Sequence, residues 1–315
     1  MGRADRFRET EARVRGLYGI SAHEHWVQVP EPGVRVRVQE VGDGPPVVYV
    51  NGISTPGMGF APLLPHLPGF RHLLLDLPGH GLAPPYLWQG PPIRELAVAV
   101  LLGVLDGLGL DRAAFVGNSL GGMFTLWTAL DAPRRVSSAV IIGEPAVALP
   151  GARGNLSMGA FTAPAIGSMV QWGMRLPAPR WAARAVMAGA LGRSATRRMP
   201  DDLLDLHTLS VQIPGQARSL RSLLRRVLAG RTPRPENVLT HDELARLATP
   251  LLFVWGRDDV FLAPERARAS IDVIPTARLE VVPGGHDPWL DDPAGCAQLI
   301  LAALARQPRD RAVAD

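Results

Sequence analysis

A serine lies in the glycine-flanked pentapeptide GNSLG (117–121), between an apolar run and a helical pattern. This G-x-S-x-G spacing is typical of a sharp strand-to-helix turn that carries a nucleophile. The turn strains the serine backbone, so the residues two before and two after it need to be nearly free of side chain. The hydroxyl would stand at a helix N-terminus, which favours developing negative charge. The pattern therefore predicts covalent catalysis by Ser119.

Two later segments supply the partners that a serine nucleophile requires. The segment WGRDD (255–259) follows a late apolar run, and GGHDP (284–288) follows the last one. A hydroxyl is a weak nucleophile until a base takes its proton, and a carboxylate must hold that base in the correct tautomer. In enzymes with a nucleophile elbow the acid and then the base follow the serine along the chain, and these segments have that order. We expect His286 to be the base and to lose its proton near neutrality.

Together these segments make the sequence resemble a lid-bearing α/β-hydrolase over about residues 26–305. DLPGHG (76–81) resembles the D-x-P-G-H-G-x-S loop of this family, with Ala83 in place of the usual serine. The segment WGRDD resembles the family's W-G-x-x-D, which implies Asp259 rather than Asp258 as the acid. The resemblance implies an α/β fold, with a mostly parallel sheet flanked by helices and a helical lid insertion.

The same resemblance implies further site residues. Two backbone N–H groups would form an oxyanion hole, one from Leu120 and one from Ile53, which follows Asn-Gly where the family usually has His-Gly. Glu144 follows the strand after the nucleophile helix and is a rival acid, since some family members use that position. Because Asp259 matches its motif better, we expect Glu144 to line the pocket or to hydrogen-bond the lid.

The elements that must position these residues follow from the apolar patterns. From residue 26 to 145, short apolar runs alternate with helical patterns, which indicates a mostly parallel sheet with crossover helices. VRVRV (34–38) alternates with period two, as a half-exposed edge strand would. Residues 146–245 contain no convincing strand and predict the helical lid, and the core pattern returns over 246–305. Residues 1–25 predict an N-terminal helical extension, and 306–315 a tail.

Composition narrows the partners and the location. All 33 basic residues are arginine, the net charge is +4, and no nucleic-acid motif appears, so no nucleic-acid partner is expected. The sequence contains no run of 18 apolar residues, so no membrane span is expected. The charged N-terminus does not resemble a secretion signal. We therefore expect a cytoplasmic protein. No His, Asp or Glu cluster has metal-ligand spacing, and no Walker or dinucleotide glycine pattern follows a strand, so neither a metal nor another cofactor is expected. The oligomeric state is left open.

Met158, Trp172 and Trp181 in the predicted lid are candidates for lining a pocket, and they suggest a small, apolar-leaning acyl substrate. The sequence as a whole predicts a serine hydrolase that cleaves a carboxylic ester, thioester or lactone through an acyl-enzyme on Ser119. Two alternatives remain open because a fold does not determine its chemistry. One is a carbon–carbon bond hydrolase or cofactor-free peroxidase-type enzyme that uses the same triad. The other is a non-catalytic ligand-binding protein.

Overall fold

The computed structural model of the protein describes residues 2–305. Ten strands run through the described residues: β1 His23–Val29, β2 Val34–Val41, β3 Pro46–Val50, β4 Arg71–Asp76, β5 Ala113–Asn118, β6 Val136–Ile142, β7 Leu228–Ala229, β8 Thr232–Pro233, β9 Leu251–Gly256 and β10 Ala277–Val282. Eight of them form one sheet in the order β1-β2-β4-β3-β5-β6-β9-β10. The pairs β1–β2 and β2–β4 are antiparallel, and the other pairs of this sheet are parallel.

Twelve α-helices occur in the same residues: α1 Arg3–Leu17, α2 Ile93–Gly107, α3 Leu120–Asp131, α4 Leu156–Thr162, α5 Pro164–Gly173, α6 Arg180–Leu191, α7 Arg193–Arg198, α8 Asp201–Gln212, α9 Gln216–Val227, α10 His241–Ala245, α11 Pro264–Ile271 and α12 Pro293–Leu304. A 3-10 helix, Gly57–His66, follows β3. None of the helices in residues 2–305 combines the length and apolar character needed to cross a bilayer.

The central strands are covered on both faces, which explains their continuous apolar sequences. Side chains alternate along β3: Val48 and Val50 pack into one hydrophobic core with α2 and α3. Val47 and Tyr49 pack into a second core on the opposite face, together with α1, α8 and α12. The sheet therefore lies between two helical layers, and the parallel strands direct their carboxyl ends to one edge, where the candidate catalytic residues follow them.

The chain between β6 and β9 carries seven helices, α4 to α10. It also contains the short antiparallel pair β7–β8, whereas the sequence pattern predicted no strand there. β7 follows α9 directly, and Gly230, with φ at 63°, then turns the chain back so that β8 pairs with β7. Residues 306–315, predicted to be a tail, lie outside the described residues.

The first strands differ from the sequence expectation. β1 begins at His23, three residues before the predicted start of the core, and it is β1 rather than β2 that lies at the sheet edge. The alternation of VRVRV therefore did not mark an edge strand. Arg37 of β2 is buried because its guanidinium is paired with the carboxylates of Glu11 at 2.7 Å, Glu24 at 2.6 Å and Asp76 at 3.1 Å.

This ion cluster joins the N-terminal helix to the loops beside the site. Asp76 Oδ1 accepts a hydrogen bond from the backbone N–H of Gly57 at 2.8 Å, and Oδ2 accepts one from Leu82 at 3.0 Å. Helix α1, predicted as an extension of no evident chemistry, thus contributes the buried Glu11 carboxylate to the cluster.

Removal of the Arg37 charge should destabilise the fold. Arg37→Met leaves buried carboxylates uncompensated, which costs about 3–5 kcal/mol in the free energy of unfolding. The exposed Arg35 of the same strand lies over the Trp26 ring, with its guanidinium carbon 4.8 Å from the ring centroid. Arg35→Met should therefore cost less than about 1 kcal/mol. Urea denaturation measures both values, and equal losses would contradict a central role for the buried cluster.

Candidate active site

The turn between β5 and α3 holds Ser119 in a rare backbone conformation. Its φ is 49° and its ψ is −113°, in the left-handed half of the map that disfavours residues with a side chain. A Cβ on Gly117 would lie 2.5 Å from the carbonyl oxygen of Gly121, and one on Gly121 would overlap the carbonyl of Val50. The two flanking glycines are therefore needed for the close approach of the helix to the sheet.

His286 follows β10 and lies beside the carboxylate of Asp259, which follows β9. The Nδ1 atom of His286 is 2.8 Å from Oδ2 of Asp259, and both side chains are buried. Asp258, the neighbour in the same motif, is exposed. The Nε2 atom of His286 is buried and has no hydrogen-bond partner within residues 2–305. Nε2, the ring nitrogen that would accept a proton from a nucleophile, therefore forms no hydrogen bond with the described residues.

Asp259 joins three loops at the carboxyl edge of the sheet. Besides His286, its Oδ2 accepts a hydrogen bond from the backbone N–H of Glu144 at 2.9 Å. Its Oδ1 accepts one from the N–H of Phe261 at 3.0 Å. The Phe261 ring packs edge-on against the imidazole, with the ring centroids 4.5 Å apart. The carboxylate is thereby held in one orientation, and the imidazole with it.

The electrostatic surroundings of His286 favour its protonated form. Burial disfavours the imidazolium, but the negative charge of Asp259 and its hydrogen bond outweigh burial and raise the pKa of His286 to about 9. The carboxyl of Asp287, adjacent in the chain, adds to this effect. A partner carboxylate in a site of low dielectric stabilises the imidazolium, which is the form that a general base reaches during proton transfer.

Glu144 occupies a different position from Asp259. It is buried, and its Oε1 accepts a hydrogen bond from the backbone N–H of Val147 at 2.8 Å, whereas no hydrogen bond joins it to His286 among the described residues. Burial, followed by the nearby charge of Asp259, raises the pKa of Glu144 to about 8. A carboxyl that is neutral at pH 7 does not orient an imidazolium by charge, so the geometry favours Asp259 as the partner of His286.

The backbone N–H groups of Ile53 and Leu120 donate to no protein atom within residues 2–305. Leu120 is the first residue of α3, where helical N–H groups lack an intrahelical partner. The loop carrying Ile53 is supported by Asn51, whose Nδ2 donates to the carbonyls of Gly52 at 3.0 Å and Thr55 at 2.7 Å. Its Oδ1 accepts the N–H of Leu77 at 3.2 Å. Asn51 therefore braces the loop at the position where related sequences usually have histidine.

Three buried polar residues near the site were missed by sequence reasoning. Asn118 Nδ2 donates to Asp287 Oδ1 at 3.0 Å and so ties the serine turn to the histidine loop. Burial raises the pKa of Asp287 to about 6. Burial also lowers the pKa of His207, on α8, to about 4, which keeps this imidazole neutral at pH 7. For Asn118 and Asp287, the only signal in the sequence was their position next to Ser119 and His286.

One cavity of about 310 Å³ is lined by some of the candidate residues. Ser119 and His286 line it, as do Ile53 and Met158. Most of its wall is apolar and comes from the chain between β6 and β9, namely α5, α6, α8 and the residues joining α5 to α6: Gly173, Met174, Leu176, Ala178, Ala182, Ala183, Val186, Met187, Ala190, Leu191 and Val211.

Trp172 and Trp181 do not line this cavity, which corrects the sequence expectation for both. Their side chains are 63% and 75% exposed, because they lie on the outer faces of α5 and α6. Helical spacing alone did not reveal which face of these short helices turns inward. No group of three His, Cys, Asp or Glu side chains within residues 2–305 is arranged as a metal site would require.

Comparison with known proteins identifies the family to which this fold belongs. The sequence profile of the alpha/beta hydrolase fold family matches residues 45–293. The pimeloyl-[acyl-carrier protein] methyl ester esterase of Xanthomonas axonopodis pv. citri is 30% identical over 86% of this chain and 98% of its own length. A 2-hydroxy-6-oxononadienedioate/2-hydroxy-6-oxononatrienedioate hydrolase of Burkholderia vietnamiensis is 26% identical over 84% and 89% of the two chains.

Among solved structures, the carboxylesterase CesB of Bacillus subtilis superimposes with a TM-score of 0.74. The match covers 96% of this chain and 98% of the other, at 20% identity, and at that level it supports the fold alone. The profile match spans most of the sequence, including the serine turn and the segments that carry Asp259 and His286. The chain therefore belongs to the alpha/beta hydrolase fold family.

Proposed function

We propose that the protein is a serine hydrolase that cleaves a carboxylic ester, thioester or lactone with an apolar acyl group. The observation that carries the proposal is the pair His286–Asp259, joined at 2.8 Å, whose imidazole lines one apolar cavity together with the strained Ser119. A binding protein on this fold would have no need for a nucleophile, a base and a buried acid in the order that catalysis requires.

In the proposed reaction, Ser119 Oγ attacks the acyl carbonyl while His286 Nε2 takes its proton. The oxyanion is stabilised by the N–H groups of Ile53 and Leu120, which have no protein acceptor within residues 2–305. His286 then gives the proton to the leaving alcohol or thiol, and the acyl group stays on Ser119. Water attacks this ester with His286 again as base, which releases the acid and restores the hydroxyl.

The cavity wall favours ester cleavage over the carbon–carbon cleavage of some relatives. The dienedioate and trienedioate named for the Burkholderia protein carry carboxylates. Within the part of the chain that the structure describes, no arginine lines the cavity, and its one acidic side chain is that of Asp287. An apolar wall beside a carboxylate suits an uncharged acyl group better than a dicarboxylate, because an unpaired buried charge is costly.

We further propose that the helices between β6 and β9 act as a lid. They supply most of the cavity wall above Ser119, so they exclude water from the reacting carbonyl and select the acyl group by size. The polar side chains of Thr208 and Gln212 on α8 lie in the same wall and would contact the more polar part of the substrate.

Loss of the Ser119 hydroxyl should abolish turnover. Ser119→Ala is expected to lower kcat for p-nitrophenyl esters by at least about 10⁴-fold and to remove labelling by a fluorophosphonate probe. Ser54 also lines the cavity and is the rival hydroxyl. The matched variant Ser54→Ala should remain labelled, so retained turnover in purified Ser119→Ala protein, or loss of labelling only in Ser54→Ala, would contradict the proposal.

The pH profile should report the His286–Asp259 pair. The base must be neutral, and because Asp259 raises the pKa of His286 to about 9, kcat/KM should rise with pH up to about 9 rather than level off near neutrality. Asp259→Asn removes that charge, so the rise should move to lower pH and the rate should fall about 10⁴-fold. Asp258→Asn should preserve the parent profile. A wild-type plateau already reached at about pH 6 would argue against this pairing.

Acyl length should be set by the α6 wall. Ala182 lines the cavity, whereas Ala185 on the same helix is exposed and does not. Ala182→Phe should fill part of the cavity and move the optimum of a p-nitrophenyl ester series to shorter acyl groups. Each excluded methylene should cost about fourfold in kcat/KM. Ala185→Phe should preserve the parent optimum, and the same shift in both variants would place the acyl group elsewhere.

A further inference from the structure

The outer surface of α5, α6 and the residues joining them is unusually apolar. Eight of the ten large apolar side chains that are exposed in the described residues lie between residues 156 and 186. We call the outward-facing part of this set the α5–α6 surface, defined by Ile166, Met169, Trp172, Leu176, Trp181 and Val186. Clusters of exposed apolar side chains on a protein surface mark a contact with a partner or a membrane.

The catalytic cavity opens within this surface. Leu176 and Val186 both line the cavity, yet their side chains are 48% and 71% exposed. The same two residues are therefore shared between the inner wall and the outer surface. A molecule resting on the α5–α6 surface would lie at the mouth of the cavity that holds Ser119.

The charged residues of this segment of the chain are all basic. Residues 145–200 contain no Asp and no Glu, and their charged residues are all arginines: Arg153, Arg175, Arg180, Arg184, Arg193, Arg197 and Arg198. Arg180 and Arg184 are paired with Asp201 of α8. Arg175, Arg193 and Arg197 are exposed and form no ion pair with the residues that the structure describes. Unpaired arginines beside exposed apolar side chains complement a partner that is apolar and anionic.

These features disfavour a second copy of the chain as the partner. A symmetric dimer would bring the same patch from both subunits together, and so would gather the unpaired arginines of both copies in one interface without acidic partners from the patch. Separate Trp side chains that protrude beside arginines are instead typical of helices that lie in the interface of a lipid bilayer. Arginines near an anionic lipid surface are attracted to it, and this attraction falls with added salt.

We propose that the α5–α6 surface docks on an anionic lipid bilayer, from which the cavity takes its apolar substrate. Trp172 and Trp181 would enter the headgroup region, and Arg175 would pair with lipid phosphate or carboxylate groups. Docking itself is independent of the proposed hydrolysis, and only the delivery of substrate depends on that function. The partner is defined by its chemistry, as an assembly of acyl chains with negatively charged headgroups.

The test is co-flotation of the intact protein with lipid vesicles. Vesicles of phosphatidylcholine with about 30% phosphatidylglycerol should bind the protein, and pure phosphatidylcholine should bind it more weakly. About 0.5 M salt should weaken the binding. Trp172→Ser/Trp181→Ser should lower partitioning at least about tenfold, and Arg175→Gln about fivefold. Hydrolysis of a soluble short-chain ester by these variants should equal that of the parent, which separates loss of docking from loss of catalysis.

Two matched variants control for exposure and charge. Leu17, at the end of α1, is 54% exposed, and Arg134 is exposed at the amino end of β6, across the sheet from the site. Leu17→Ser and Arg134→Gln should partition like the parent protein. The proposal is overturned if anionic vesicles do not bind the protein, or if these controls lose as much binding as the α5–α6 variants. It is equally overturned if light scattering shows a dimer that Trp172→Ser/Trp181→Ser dissociates, since the surface would then be covered by a second copy.

Discussion

The carboxylate of Asp259 is the contact on which the candidate site depends. It accepts hydrogen bonds from the backbone N–H groups of Glu144 and Phe261 as well as from His286, so one side chain joins the loops after β6, β9 and β10. A carboxylate with such partners keeps one orientation inside the protein. The position of the imidazole ring, its tautomer and its raised pKa all follow from that arrangement.

The parallel sheet explains why these loops meet at all. Ser119, Asp259 and His286 follow β5, β9 and β10, and the carboxyl ends of parallel strands lie along one edge. Asn51 and Asn118 then connect neighbouring loops by side-chain hydrogen bonds to main chain and to Asp287. The site is thus built from short loops on the sheet, whereas most of the cavity wall comes from the chain between β6 and β9.

The sequence alone was sufficient for the fold class, the family and the order of the candidate catalytic residues. Those features depend on local patterns: apolar runs, the glycines around Ser119 and short motifs at strand ends. It was insufficient where a residue's surroundings come from distant segments. The alternation of VRVRV predicted a half-exposed edge strand, but Arg37 is buried against carboxylates that come from α1, β1 and β4. Trp172 and Trp181 were candidates for lining the pocket, because composition suggests apolar contacts without indicating which face of a helix turns inward, and both are exposed.

The central claim is an acyl-enzyme on Ser119, and acid-quenched mass spectrometry tests it most directly. The protein would be mixed with an excess of an activated p-nitrophenyl ester, quenched in acid within the first turnovers, digested and mapped. The account predicts one acyl group per chain, located on the peptide that contains Ser119 and absent from the Ser119→Ala protein. Turnover without an acyl group on that peptide would contradict an acyl-enzyme on Ser119. An acyl group that forms and is hydrolysed on another residue at the rate of turnover would contradict it as well.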